Sequence, residues 1–399
     1  MNTRNLRVRS LWGWLFWLPA AIVAAMGLWQ VGRTVYYSFT DFDILSLPEF
    51  IGLENYRTML QDDVTRLGLI HTVVFIVVVG AALMLIGGGL ALLTTKLPLP
   101  YGVVLGGLLT LSSLFALFPT GWSHLFSGDS YGLLNGLLMH NSEIQNEGTF
   151  EPVQWLDVFP AFFHLFQLFV IGLAPVYILV YICTRRHQRQ LGLTLAFGAI
   201  PVILMTGWAY TAALVGFPST NYAAHWLPAL ITDHGNIRCN LGYSSALTVV
   251  GILGWILWCA AGALLIRLGV IVYRRIRFRL PYTISWIALV LGGILALLML
   301  FPGWITLQDA LKPTEELYLF PPQVFVQRPT LNNFSHLFDA LTNYSPLSWD
   351  NLFSHLWLLP VAYLLTVLPV AVGLTHFSYR GQKVALLTWL GCWGLLSLS

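Results

Sequence analysis

Long apolar runs, separated by short breaks that carry charge, proline or glycine, set the pattern of the chain. A transmembrane helix needs roughly 20 predominantly apolar residues, and nine runs approach or reach that length. The pattern therefore predicts an all-α fold, a polytopic integral membrane helical bundle with about nine transmembrane helices. The predicted spans are 11–32, 68–93, 103–122, 159–183, 191–216, 244–270, 283–306, 353–377 and 385–399.

The composition agrees with a membrane protein. Hydrophobic residues make up 57% of the 399 positions and charged residues only 9%, against about 25% charged residues in soluble domains. A soluble domain cannot bury that much apolar surface, because most of its residues face water. This excludes a cytosolic enzyme, a disordered chain and a nucleic-acid binder, and makes membrane lipid an expected partner. The four cysteines contain no Cys-x-x-Cys pair, so neither a disulfide framework nor a zinc site is indicated, and no metal or cofactor is assigned.

The first apolar run can be interpreted as a cleaved signal peptide or as a membrane anchor. It extends from Leu11 to Trp29, which is longer than the roughly 7–15 apolar residues of a usual signal peptide. We therefore expect an uncleaved anchor.

Charged residues separate when the loops are assigned alternately to the two sides of the membrane. One side holds 14 of the 20 basic residues and none of the 17 acids. By the positive-inside rule this side is the cytoplasm, so the N terminus is predicted to be cytoplasmic. The basic residues on this side are Arg4, Arg7, Arg9, Lys96, Arg185, Arg186, Arg189, Arg267, Arg274, Arg275, Arg277, Arg279, Arg380 and Lys383.

Two segments of the chain recur further on. Residues 51–60 and 329–338 share Leu, any residue, Asn, an aromatic residue and, three positions further on, an apolar residue, with Asn333 lying 278 positions after Asn55. The turn at 94–102 matches the turn at 375–381, with Gly381 lying 279 positions after Gly102. Duplicated halves are common in transporters. We therefore predict a six-span domain at 1–280 and a partial, three-span second copy at 281–399.

These segments also carry a family resemblance. In order, they resemble maltose-type carbohydrate importer permeases of ATP-binding-cassette systems, first over the six-span domain and then over a truncated partner permease. The motifs are Tyr37-Ser38-Phe39-Thr40-Asp41-Phe42, Phe50-Ile51-Gly52-Leu53-Glu54-Asn55-Tyr56, Tyr131-Gly132-Leu133-Leu134-Asn135, Ile231-Thr232-Asp233-His234-Gly235, Gly242-Tyr243-Ser244-Ser245-Ala246-Leu247, Phe301-Pro302, Pro313-Thr314-Glu315-Glu316, Pro329-Thr330-Leu331-Asn332-Asn333-Phe334 and Tyr379-Arg380-Gly381.

The resemblance implies a permease subunit of a sugar importer in a bacterial inner membrane. Its implied partners are separate ATPase subunits, an extracytoplasmic sugar-binding protein and a second permease subunit. No phosphate-binding Gly-x-x-x-x-Gly-Lys-[Ser/Thr] motif occurs in the sequence, so an ATPase must be a separate chain.

The chain departs from this family at the cytoplasmic coupling loop, which in the family begins with Glu-Ala-Ala and docks into the ATPase. The corresponding stretch here, 175–201, is mostly apolar, and its polar part is 184–190. If the chain binds an ATPase, the expected contacts are Arg185, Arg186 and Arg189. The alternative is that these arginines only anchor a tight hairpin at the cytoplasmic face.

Polar and aromatic residues inside the spans are the candidates for a sugar pathway. The span centres contain no Asp, Glu, Lys or Arg, which disfavours a proton- or sodium-coupled transporter. His164 and Gln167 share a face of the fourth span, where an interhelical hydrogen bond is the more ordinary role. The aromatic candidates, which suit membrane-interface belts as well as sugar stacking, are Trp208, Tyr210, Trp255 and Trp258.

Two further functions stay open at the level of sequence. The chain can be a permease-derived scaffold or regulatory subunit that no longer couples to ATP. It can also be a membrane glycosyltransferase that uses a lipid-linked sugar, in which Asp41 with Asp43, or Asp62 with Asp63, would bind a metal. A solvated loop is the favoured interpretation of these acids, and no catalytic residue is assigned.

The segregation of charge generates a test of orientation. Cysteines introduced at Glu54 and Asp129 should react with impermeant reagents only from the extracytoplasmic side, because all 17 acids are predicted to lie there. Labelling of these positions from the cytoplasmic side of inverted vesicles would contradict the predicted topology.

Overall fold

The structure, a computed structural model, describes residues 18–116, 120–144, 151–153, 160–215, 226–276, 281–317, 319 and 322–343. The chain divides into two compact units. One is Ser38–Thr330, and the other combines Met1–Tyr37 with Leu331–Ser399. Across the described residues the regular structure is helical, with two isolated β-bridges and no strand. The predicted all-α membrane fold is confirmed.

Fourteen α-helices are described, twelve of them in the unit Ser38–Thr330. Two π-helical turns, Met84–Gly88 and Asp233–Ile237, interrupt the α-helices. The α-helices are α1 (Leu18–Tyr37), α2 (Glu54–Gln61), α3 (Asp63–Leu83), α4 (Gly89–Thr94), α5 (Leu99–Ala116), α6 (Thr120–Leu125), α7 (Leu133–Ile144), α8 (Pro160–Arg185), α9 (Arg189–Val215), α10 (Leu227–Thr232), α11 (Leu241–Ile276), α12 (Tyr282–Leu311), α13 (Thr314–Leu317) and α14 (Asn332–Asn343).

Five helical stretches are long and apolar enough to cross a membrane, and each coincides with a predicted span. They are Asp63–Thr94, Leu99–Ala116, Leu165–Arg185, Leu241–Ile271 and Tyr282–Leu311. The predicted span 191–216 coincides with α9, whose apolar part is described over Arg189–Met205. The predicted span 11–32 overlaps α1. The predicted spans 353–377 and 385–399 lie outside the described residues.

Small residues let the long helices of the larger unit approach closely. Helix α8 packs against both α9 and α5, and α12 packs against α5 within the same unit. Gly102 of α5 lies under the ring of Tyr181, where a side chain would collide with the phenol. Gly292 of α12 faces Leu105 of α5 in the same way. The predicted domain boundary at residue 280 stays a prediction. Helix α12, which follows it, packs on α5, and such packing is expected both within one domain and between two copies.

In the part of the chain that the structure describes, the acids lie at one end of this bundle and most of the basic residues lie at the other. Bonds from Arg185 and Tyr181 to the carbonyls of Leu97 and Leu99 join the turns at the basic end. At the other end, here called the acidic end, the few basic residues largely sit beside acids. The ion pairs there are Arg66–Asp63 at 2.7 Å, Arg238–Asp233 at 2.8 Å and Lys312–Asp309 at 2.9 Å.

The segment that precedes α2 is built onto the start of α11. The side-chain amide of Asn55 donates to the carbonyls of Ser38 (3.0 Å) and Thr40 (2.8 Å) and so fixes the base of the loop. The backbone N–H of Gly242 then donates to the carbonyl of Phe42 at 2.8 Å. Two of the motifs that carry the resemblance are thus joined backbone to backbone.

Asn135 has a similar role in the motif at 131–135. Its amide nitrogen donates to the carbonyls of Ser127 (3.0 Å) and Val153 (2.9 Å), and its oxygen accepts from the N–H of Val153 at 3.1 Å. Gly132 lies so close to Ser127 that a Cβ there would stand 2.6 Å from the Ser127 carbonyl oxygen. This motif therefore builds the acidic-end loops, with every polar atom of a fully buried Asn bonded.

The contact at Gly242 leads to a stability prediction. A Cβ on residue 242 would lie 2.1 Å from the Thr40 carbonyl oxygen, so Gly242→Ala should destabilise the protein by about 1–3 kcal/mol through overpacking. The measurement is the thermal unfolding midpoint of the purified chain in detergent. Gly254→Ala is the matched control in the same helix, because nothing lies within 4 Å of a Cβ there. Equal midpoints for the two variants would contradict the prediction.

Candidate functional site

Two tryptophans of α11 form hydrogen bonds to the backbone of α9 beside a proline, within the apolar helices of the bundle. Pro201 has no N–H, so the carbonyl of Phe197, four residues earlier, loses its intrahelical donor. The indole N–H of Trp258 donates to this carbonyl at 2.8 Å. The indole N–H of Trp255 donates to the next carbonyl, that of Gly198, at 2.9 Å. Helix α11 thus supplies the hydrogen bond that the proline removes from α9.

Helices α3, α9 and α11 meet at this point. The ring of Trp258 stacks on Phe197 with centroids 4.4 Å apart. Gly262 of α11 leaves room for Phe197, since a Cβ there would lie 2.0 Å from the ring. From the other side, Gly80 of α3 approaches Trp258, with 3.2 Å between a Cβ at residue 80 and the indole. The glycines therefore allow two large aromatic rings to fit among three close helices.

The remaining predicted pathway residues are placed as follows. Gln167 is buried, and its amide donates to the carbonyl of Ala116 at 2.9 Å, at the C-terminal end of α5. His164 lies in α8, and Trp208 and Tyr210 lie in α9, but their side chains are outside the described part of the structure. Gln167, Trp255 and Trp258 all donate their side-chain N–H groups to helix carbonyls. A ligand would therefore contact the indole rings or the side-chain carbons of these residues, and not these N–H groups.

A second irregularity lies where α3 crosses α8. The π-helical turn Met84–Gly88 faces the segment of α8 around Pro175. A Cβ on Gly87 would lie 3.2 Å from the Leu173 side chain, and one on Gly172 would lie 2.7 Å from Leu83. Proline and π-helical turns are the usual places at which helices bend. Two of the membrane helices therefore combine irregular backbone with close packing at one level of the bundle.

The three predicted ATPase contacts occupy the turn between α8 and α9. Arg185 contacts its own molecule: a guanidinium N–H donates to the Leu97 carbonyl, Nε donates to the Tyr181 hydroxyl at 3.3 Å, and the guanidinium lies 5.4 Å from the Tyr181 ring centroid. Arg186 and Arg189 are exposed at the basic end. Arg185 therefore positions the neighbouring turn, and the surface available to a partner is that of Arg186 and Arg189.

This turn is unusually short because α8 ends in a tight cap. Gln188 N–H donates to the Cys183 carbonyl at 2.8 Å, and His187 N–H donates to the Thr184 carbonyl at 3.0 Å. These are the two bonds of a Schellman motif, whose left-handed position glycine usually occupies. Here that position is His187, with φ of 58°. Only three residues, 186–188, connect α8 with α9.

Two tyrosines of α8 form a polar cluster at the basic end that sequence reasoning missed. The Tyr177 hydroxyl donates to the Gly102 carbonyl and lies near the Thr94 hydroxyl, each at 3.0 Å. Tyr181 stacks on Tyr177 with centroids 5.6 Å apart. Their spacing of four residues, which places both on one helix face, is the signal that could have identified the pair.

A charged cluster at the acidic end was also missed. His124 Nδ1 lies 2.5 Å from Asp309 Oδ2, and Lys312 Nζ contacts Asp309 Oδ1 at 2.9 Å and the Gln323 carbonyl at 2.7 Å. Glu316 is buried nearby in the chain and accepts from the Gln327 N–H at 3.2 Å. This cluster ties α6, α12 and the loop after α13 together, and its contact between His124 and Asp309 joins residues 185 positions apart, so no local pattern reveals it.

The acids considered as metal ligands serve as turn and helix caps. Asp43 Oδ1 accepts from the Ser46 hydroxyl (2.7 Å) and N–H (2.8 Å), and these bonds hold the pKa of Asp43 below its ordinary value. Burial raises the pKa of Asp62, but hydrogen bonds from Thr65 and Val64 at the start of α3 outweigh it, so this pKa is also lowered. Among the described residues, no group of three His, Cys, Asp or Glu side chains is placed to bind a metal.

Comparison with known proteins identifies one partial relative. No protein-family model matches the chain. The probable starch degradation products transport system permease protein AmyD of Thermoanaerobacterium thermosulfurigenes is 34% identical over 90 residues, which are 22% of this chain and 30% of the relative. The match thus covers less than a third of the relative's length. Together with the apolar helices, it supports a multi-pass membrane protein with a segment similar to a sugar-transport permease.

The Pro201–Trp258 contact can be tested by a double-mutant cycle. Trp258→Phe leaves the Phe197 carbonyl without its donor, so it should lower the free energy of unfolding by about 1–3 kcal/mol beyond the packing loss. Pro201→Ala restores an intrahelical N–H, so it should rescue Trp258→Phe although it has little benefit alone. The measurement is unfolding in detergent followed by circular dichroism.

Trp255→Phe is the matched control for this cycle. Its carbonyl partner, that of Gly198, retains the N–H of residue 202 as an intrahelical donor. Pro201→Ala should therefore rescue Trp255→Phe much less than Trp258→Phe. An equal or absent rescue in both backgrounds would contradict the proposed exchange of hydrogen bonds.

Proposed function

We propose that the chain is the transmembrane permease subunit of a maltose-type sugar importer of the ATP-binding-cassette class, resident in a bacterial inner membrane with its basic end in the cytoplasm. The observation that carries this proposal is the 90-residue similarity to a permease named for transport of starch degradation products, in a chain rich in membrane-spanning helices. The ordered motifs at 37–56, 131–135 and 231–247 support it, since the first and third are bonded to each other and the second builds a separate loop at the acidic end.

The proposed cargo is a sugar of the class named for the relative, an oligosaccharide derived from starch. Sugar rings stack on aromatic faces, and the face of Trp255, with His164, Gln167, Trp208, Tyr210 and Trp258, remains the proposed pathway. Tryptophans whose N–H groups are bonded to a helix backbone are held in place, and this favours stacking over hydrogen bonding as their contribution. The proposed partners are separate ATPase subunits, an extracytoplasmic sugar-binding protein and a second permease subunit.

A second candidate function is favoured by the turn between α8 and α9. Three residues are fewer than one helical turn of about 3.6 residues, so they leave no room for a coupling helix. Arg189 is also the first residue of α9, where the helix dipole disfavours a cation. A permease-derived scaffold or regulatory subunit would tolerate such a turn. In that case the arginines serve as a membrane anchor.

Co-purification of an ATPase separates the two functions. The tagged full-length chain is purified from its native membranes, and bound ATPase subunits are identified by mass spectrometry and by nucleotide hydrolysis. The test variant combines Arg186→Gln with Arg189→Gln and keeps Arg185, which the fold needs. Because Arg pairs bidentately with carboxylates, the coupling function predicts at least about a tenfold loss of bound ATPase, or about 1.4 kcal/mol of binding.

Lys96→Gln, at the neighbouring basic-end turn, is the control for the loss of positive charge. Loss of ATPase in the double variant but not in Lys96→Gln supports coupling through the α8–α9 turn. If both variants retain the ATPase, its contact lies elsewhere on the basic end. Absence of any ATPase from the parent protein overturns the importer proposal and leaves the scaffold.

A further inference from the structure

The loop and helix at residues 44–60 expose an unusual amount of apolar surface at the acidic end. The side chains of Leu45 and Leu47 are 92% and 86% exposed, and those of Phe50, Leu53 and Leu60 are 75%, 67% and 70% exposed. Single exposed apolar residues are ordinary, but a contiguous group of them marks an interaction surface. We refer to Ile44–Leu60 as the apolar tip.

The apolar tip is held rigidly, so its exposure does not come from a loose loop. Ile51 N–H donates to the Phe39 carbonyl at 2.9 Å, and Asp41 N–H donates to the Glu49 carbonyl at 3.1 Å. The Glu49 N–H in turn donates to Asp41 Oδ1 at 2.9 Å. The rings of Phe39 and Phe50 stack with centroids 6.4 Å apart. The loop is therefore a braced hairpin that presents its leucines away from its own base.

Polar groups at the turn of this hairpin are largely bonded within it. Asp43 Oδ1 accepts from the N–H groups of Leu45 (3.1 Å) and Ser46 (2.8 Å) and from the Ser46 hydroxyl (2.7 Å). Burying a backbone N–H is costly only when it has no acceptor. These two backbone donors therefore stay satisfied in the headgroup region, which is polar enough to solvate the Asp43 carboxylate.

Helix α2 divides its surface into three faces. Asn55 and Met59 face the protein and are buried. Glu54, Thr58 and Gln61 form an exposed polar face, whereas Leu53, Arg57 and Leu60 form an exposed face with apolar ends and one cation. A helix that meets protein, water and lipid at once needs this division, and the arginine can extend its guanidinium to lipid phosphates.

Helix α3, a candidate membrane span that begins two residues after α2 ends, also exposes apolar residues from its first turn onward. Exposed apolar residues continue at Val64, Leu67, Ile70 and Val74, which recur at helical spacing along one side of this membrane helix. A soluble protein that covered the apolar tip would leave these residues of α3 exposed, because they lie within the candidate membrane span. The continuity therefore favours lipid over a soluble partner as the occupant.

We propose that the apolar tip is a membrane-interface anchor, in which Leu45, Leu47, Phe50, Leu53 and Leu60 enter the headgroup region of the bilayer at the acidic end while Arg57 contacts lipid phosphates. The anchor requires only that the chain is a membrane protein, and it is independent of the proposed sugar transport.

Site-directed spin labelling tests the anchor in the full-length chain. The four native cysteines are replaced by alanine, and the chain is reconstituted in vesicles of phosphatidylethanolamine and phosphatidylglycerol. Nitroxides at Leu47, Leu53 and Leu60 should lie about 5–10 Å below the phosphates by comparison of oxygen and nickel-chelate accessibility. Labels at Thr58 and Gln61, on the polar face of the same helix, are the matched controls and should read as aqueous.

The outcomes distinguish the possible occupants of the surface. Low chelate access at Leu47, Leu53 and Leu60 with high access at Thr58 and Gln61 supports the anchor. Equal, high chelate access at all five positions overturns it and leaves the tip as a docking surface for a soluble protein. A photo-cross-linking amino acid at Leu47 in the chain with its native cysteines gives a second readout. Cross-links to phospholipid support the proposal, and cross-links to protein alone overturn it.

Discussion

The requirement that every backbone polar group find a partner inside an apolar medium governs this structure. Water cannot satisfy an open carbonyl in the hydrocarbon region, so each break in a helix needs a donor from elsewhere in the protein. Pro201 creates such a break at the Phe197 carbonyl, and the Trp258 indole, 61 positions from Phe197 in sequence, closes it. Gln167 does the same for the end of α5. Much of the polar chemistry within the membrane is therefore committed to helix backbones.

The same requirement shapes the acidic end, where the chain leaves the helices. Asn55 and Asn135 each bond carbonyls of a neighbouring loop, and Asp43 and Asp62 accept from backbone N–H groups. Gly242 lets one loop dock on the first turn of α11. The residues of the motifs that carry the family resemblance thus make contacts that hold loops against helices. Such motifs are informative about the fold, whereas substrate choice must reside in other residues.

The described spans agree with those predicted from sequence because the length of an apolar run is a local property, and a helix crosses the bilayer when this length matches the thickness of the hydrocarbon core. The contacts of Trp255 and Trp258 could not be predicted, because two aromatic residues on one helix suit stacking on a sugar and donation to a helix equally well. Only the proximity of Pro201 distinguishes these roles. Charge segregation was likewise visible in sequence, but the pairing of His124 with Asp309 depends on a tertiary contact that no local pattern encodes.

The position of Trp258 also bears on where an ATPase could bind. Trp258 bonds Phe197, which lies eight residues from the start of α9, or about 12 Å along that helix at 1.5 Å per residue. From the same level α11 continues for 18 residues to Ile276, about 27 Å in the same direction. For packed, roughly aligned helices, α11 therefore extends about 15 Å beyond the α8–α9 turn. Among α8, α9 and α11, the C-terminal end of α11 therefore projects farthest at the basic end, and the α8–α9 turn is recessed behind it.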